Sequence, residues 1–173
     1  RGMSFLFADM CCQTMGALFL LLRGVVPEVL SILLTNLFSI SGLLCVLIGL
    51  ELFFSQYKPR IYNYFVAVLY MLLIGYFTLV KDDLLARNIF LSSMIVYFNG
   101  QSGLFLLREI QPEFRRMARF TASALLAYCV FSMARIIALV LLPQSGNDFF
   151  QSGIVNSIAM VAYSSLNILF TAG

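Results

Sequence analysis

The sequence predicts an all-α fold, a polytopic transmembrane helical bundle with six spans. Three observations lead there. Hydrophobic residues make up 61% of the 173-residue chain, charged ones only 11%, and the mean hydropathy is +0.95. Six apolar runs each reach the roughly 20 residues a helix needs to cross about 30 Å of hydrocarbon. Those runs are continuous, whereas a membrane-spanning β-strand alternates apolar and polar residues over about ten positions. Lipid offers no hydrogen bonds to the backbone, so continuous runs of this length have to be helices.

The spans run in order over residues 3–22, 29–50, 61–80, 84–107, 120–142 and 149–172. Pro27 precedes the second, with Glu28 in its first turn, where the helix dipole favours a carboxylate. Pro59, Pro112 and Pro143 fall between spans. No proline interrupts a span, so the broken half-helices that mark many transporter sites are not evident. The short connections predict antiparallel neighbours and leave no room for a soluble domain, so residues 1–173 read as one membrane unit. The chain opens on Arg1-Gly2 without an initiator Met, which reads as part of a longer protein with residues preceding and following it.

Charge sets the expected orientation. Alternating the loops between two sides puts Arg1, Lys58, Arg60, Arg108, Arg115, Arg116 and Arg119 on one face, and Arg23, Lys81 and Arg87 on the other. The positive-inside rule makes the first face cytoplasmic, and the C-terminus with it. The chain is thus expected to be a multi-pass membrane protein, with the lipid bilayer as its main partner. The net charge of +3 is this loop bias and no footprint for nucleic acid. Tyr57, Tyr62 and Tyr64 lie near one boundary, where aromatic rings favour the interface.

Chemistry-bearing motifs are sparse. The chain has no histidine, which removes His-ligated haem, His-based zinc and histidine proton relays. Cys11, Cys12, Cys45 and Cys129 lie inside apolar spans without metal-ligand spacing and read as small packing residues. No nucleophile motif, phosphate loop or paired intramembrane aspartates occur, so no catalytic residue, metal site or cofactor is assigned and the chain itself is not read as an enzyme.

An ionisable group inside a span is expensive and points to function. Asp9 and Arg135 qualify, whereas Glu51 lies near the cytoplasmic end, where water is expected to reach it. At 1.5 Å per residue, Arg135 lies about 10 Å below the outer surface. Asp9 falls near the inner end of the first span, roughly 15 Å away along the membrane normal, which argues against a direct salt bridge between them. Asn36, Asn156, Gln13, Ser92 and Ser93 come to a similar depth as Arg135, about 10–14 Å. Together they predict a polar layer that receives a small anionic or carbonyl-bearing ligand on the planar guanidinium fork. The plainer alternative is that these groups only hydrogen-bond one another and hold the helices together. A third is that Arg135 reaches outward to Glu28 or the headgroups. The Asn99-Gly100-Gln101-Ser102-Gly103 cluster either loosens the fourth span or permits close helix approach. The Arg108–Arg116 stretch reads as a solvated loop facing anionic headgroups.

Residues 16–54 carry a resemblance. The string Leu21-Leu22-Arg23-Gly24, then Pro27, Leu30-Ser31-Ile32 and Asn36, followed by Gly49 and Phe53, resembles the integral-membrane sensory module that precedes GGDEF diguanylate cyclase domains in bacteria. Related modules precede histidine kinases. The resemblance implies a signal-input domain controlling a C-terminal diguanylate cyclase and its product c-di-GMP, a homodimer, and a seventh span upstream. It assigns no activity to this chain, which lacks the GGDEF residues. The competing reading is a small transporter or channel subunit, and behind it an intramembrane enzyme.

Overall fold

The computed structural model describes residues 2–54, 60–108 and 115–141. Among them are five helices: α1 (Gly2–Leu21), α2 (Glu28–Phe53), α3 (Ile61–Leu79), α4 (Leu84–Arg108) and α5 (Arg115–Leu141). All five are long and apolar enough to cross a membrane. The fold class is therefore all-helical and membrane-spanning in character, with five spans supported where six are predicted. The predicted segment 149–172 lies outside the described residues. Helix α2 runs three residues beyond the predicted end at 50, because Glu51 is carried inside the helix, and α5 begins five residues before 120.

Two compact units divide the chain between Asp83 and Leu84, with α1–α3 in the first and α4–α5 in the second.

In the first unit, α1 buries only Gly2, Asp9 and Gly16, each seven residues from the next. Buried Gly42 and Gly49 of α2 share that spacing. A seven-residue repeat keeps one stripe facing its partner, as in a left-handed coiled pair, and small residues let the backbones close up where lipid supplies no hydrophobic drive. The approach is tight: a Cβ built on Gly2 would stand 2.5 Å from the Gly49 carbonyl oxygen. Side chains then fasten the other end of the hairpin. Ser31 Oγ donates to the Phe19 carbonyl at 2.6 Å, capping one of the carbonyls that α1 leaves without a partner at its end. The Phe19 and Phe38 rings stack with centroids 5.7 Å apart. Arg23 and Glu28 form a salt bridge beside the turn, so Glu28 is engaged locally.

Helix α3 joins α2 through fully buried Tyr70, whose hydroxyl donates to Asn36 Oδ1 at 2.5 Å. At the other end of α3, Arg60 pairs with Glu51 at 3.0 Å. Glu51 is only 2% exposed, so the expectation that water solvates it is overturned. The reason is that a guanidinium, rather than solvent, meets the carboxylate.

In the second unit, α5 buries Ala118, Leu125, Ser132 and Leu139, again seven apart. Helix α4 faces it antiparallel. Gly103 lies against Leu126 and the Ala122 carbonyl, Gly100 against Cys129, and Cys129 Sγ donates to the Val96 carbonyl at 3.6 Å. The Asn99–Gly103 cluster sits in continuous helix, with Asn99, Ser102 and Gly103 buried, as close helix approach requires. Outward faces carry Phe7, Phe65, Leu72, Val130 and Val140, a surface suited to lipid chains.

Candidate functional site

The register that sets Cys129 against Val96 continues two turns further along the α4–α5 pair. There Arg135 Nη2 donates to Asn88 Oδ1 at 3.0 Å. Arg135 is 5% exposed and Asn88 4%. Ser92 follows Asn88 by one helical turn, and Ser132 precedes Arg135 by one, so all four share one stretch of the helix pair. Both serines are fully buried.

The chemistry of the group is one-sided. A guanidinium only donates, so Asn88 must turn its oxygen toward Arg135. That orientation leaves its NH2 directed elsewhere, and Asn88 Nδ2 has no hydrogen-bond partner among the described residues. Ser92 Oγ likewise has none. Each such buried group costs about 1–3 kcal/mol. A lone arginine near a span's centre costs ~2.5–3.5 kcal/mol on insertion scales. Asn88 Nδ2, a donor, and the Ser92 hydroxyl, which can donate or accept, are thus both left open.

Arg87 is a second buried guanidinium in α4. The charge pattern places it in an outer loop, yet it lies within the first turn of the helix. Around the helix it stands about 100° from Asn88, on another face.

The other predicted members go elsewhere. Ser93 donates to the Ile89 carbonyl of its own helix at 2.8 Å. Asn36 belongs to the first unit and uses both ends of its amide there: Nδ2 donates to the Ile32 carbonyl at 2.8 Å, and Oδ1 accepts from Tyr70. Gln13, also in the first unit, donates to Asp9 Oδ1 at 3.3 Å. Asn156 lies outside the described residues. Within the second unit the structure therefore brings Arg135 and Ser92 to one cluster and turns Ser93 back on its own helix.

Asn88, the partner of Arg135, is absent from the sequence reading. Its signal was the i, i+4 spacing of Asn88 and Ser92, which puts two polar groups on one face of an apolar helix.

No family model, curated protein or solved structure matches this chain. Function has to be read from the side chains themselves.

The first unit holds a second buried charge. Asp9 is 7% exposed and lies against Gly42, where a Cβ would stand 2.7 Å from its Oδ1 and 2.8 Å from Gln13 Nε2. Glycine at 42 thus makes the space that a carboxylate and an amide occupy inside a helix seam. Among the described residues no group of three or more acidic or cysteine side chains is placed to hold a metal ion.

Proposed function

We propose that this chain is the membrane-embedded signal-input domain of a bacterial signalling protein, with Arg135 as its receiving group. The observation that carries this reading is the buried Arg135–Asn88 pair in a helix hairpin that exposes apolar side chains such as Val130, Ile137 and Val140. Maintaining an intramembrane guanidinium is costly, and residues retained at such cost are functional by default. The resemblance over residues 16–54 supports a cytoplasmic diguanylate cyclase as the output, with a histidine kinase as the alternative. On this reading residues 149–172 form a sixth span, the C-terminus faces the cytoplasm of a bacterial inner membrane, and the domain works as a homodimer. A ligand can move the helices only by binding two arrangements with different affinity.

Two experiments test it. The coding sequence continuing past Gly173 should specify a GGDEF or kinase domain within about 40 residues, the length of a helical linker of roughly 60 Å. In the full protein, Arg135→Met should abolish or lock c-di-GMP output while membrane insertion is unchanged. A variant that folds and signals normally would remove Arg135 from the input role.

Asp9 favours one second reading, a small transporter or channel subunit, because buried intramembrane carboxylates line ion paths in such proteins. Ion flux in proteoliposomes that is lost in Asp9→Asn would select it.

A further inference from the structure

We propose that the α4–α5 cluster of Arg135, Asn88 and Ser92 is a binding site for a single carboxylate group. The proposal deepens the input-domain reading and rests on Arg135 as the receiving group, but it adds a ligand class and a residue, Asn88, as a direct contact.

Two polar groups at the cluster are left without partners. Asn88 Nδ2 and Ser92 Oγ are both buried and lack a hydrogen-bond partner among the described residues. They lie on one face of α4, one turn apart, and Asn88 is already bonded to the guanidinium at 3.0 Å. An amide NH2 and a guanidinium only donate, and the Ser92 hydroxyl can donate beside them, so a compact group of acceptors complements all three. A carboxylate has two oxygens and about four lone-pair sites, enough for a bidentate guanidinium contact plus one bond each from Asn88 and Ser92. A phosphate dianion carries a second negative charge into a low-dielectric setting, which is strongly unfavourable.

Asn36 and Gln13 are not needed for this site. The amide of Asn36 is engaged at both ends and that of Gln13 donates to Asp9, all within the first unit. The carboxylate could arrive from water, on a small organic acid, or from the bilayer, on a fatty acid whose chain lies along the lipid-facing surface.

The test uses the full chain in phosphatidylcholine nanodiscs and reads thermal stability against added sodium acetate, sodium decanoate, decanol and inorganic phosphate. Saturable stabilisation by acetate or by decanoate, not matched by decanol, is expected. Acetate acting alone or with decanoate marks an aqueous source, and decanoate alone marks the bilayer; either outcome supports a carboxylate site. Ser92→Ala should weaken the acting carboxylate about fivefold, the equivalent of one hydrogen bond. Asn88→Asp places a carboxylate beside Arg135 within the chain and should abolish the response while leaving the protein folded. Should Asn88→Asp fail to fold, the fivefold effect of Ser92→Ala decides.

Equal responses to decanol and decanoate, a response to phosphate alone, no response to any probe, or full binding by both variants would each overturn the site. Because the readout is binding, it separates from signalling. Carboxylate binding with no effect on c-di-GMP would sink the input-domain reading and keep the site. Signalling that depends on Arg135 without carboxylate binding would do the reverse.

Discussion

The Tyr70 hydroxyl donates to Asn36 Oδ1 at 2.5 Å and ties α3 to α2 in the middle of the first unit. Asn36 in turn donates to the carbonyl of Ile32, so the bond anchors α3 to the backbone of α2 through one bridging amide. In a membrane, where apolar surface is equally content against lipid, a few such bonds decide which helix faces meet.

Tyr70→Phe should therefore destabilise the first unit by about 1–2 kcal/mol, the worth of one buried hydrogen bond plus an acceptor left without its donor. Unfolding in mixed detergent measures it. No loss of stability would mean that ring packing alone holds α3.

The Asp9–Gln13 pair and Gly42 compete for one volume. Gly42→Ala is expected to cost about 1–2 kcal/mol, because its methyl displaces both side-chain ends. Both are flexible, so removing them should relieve the clash: in an Asp9→Ala, Gln13→Ala background the same change should cost under about 0.5 kcal/mol. A double-mutant cycle reads the coupling, and equal costs in both backgrounds would refute it.

Glu51 and Arg60 hold the α2–α3 junction. Arg60→Met removes the guanidinium that meets buried Glu51 and should cost about 2–3 kcal/mol, at the low end for a broken pair because Arg60 is partly exposed. Adding Glu51→Gln should recover most of that loss. Chemical unfolding of the two variants compares them directly.

At the α4–α5 cluster, Asn88→Leu removes an acceptor that Arg135 uses. A loss of about 2–4 kcal/mol is expected for a buried charge deprived of a hydrogen bond. Asn88→Asp should be at least as stable as the parent, since it substitutes a charged acceptor. A stable Asn88→Leu protein would mean that Arg135 draws its support elsewhere.

Span lengths and most helix limits were legible because hydropathy reports them directly; the fourth span is predicted at 84–107 and observed at Leu84–Arg108. Rotation about the helix axis was not. Both the lipid-facing and the packed faces of these helices are apolar, so no contrast marks which way a side chain turns. Counting placed Asn36 level with Arg135, yet Tyr70, with no polar neighbour in sequence to announce it, takes up the Asn36 amide. Asn88 escaped for a related reason: it lies close to the start of its span, where polarity usually means only an approaching loop. Glu51 shows the same failure, since proximity to a boundary suggested water and the fold supplied Arg60 instead.

The stripe of Gly2, Asp9 and Gly16 against Gly42 and Gly49 makes the first hairpin sensitive to phase rather than to length. Inserting one residue between Gly2 and Gly16 would swing everything beyond it by about 100°, exposing Asp9 or a glycine groove to hydrocarbon. Inserting seven would keep the stripe in phase but slide it about 10 Å along its partner. Evolution can stretch this pair only by adding whole heptads to both helices.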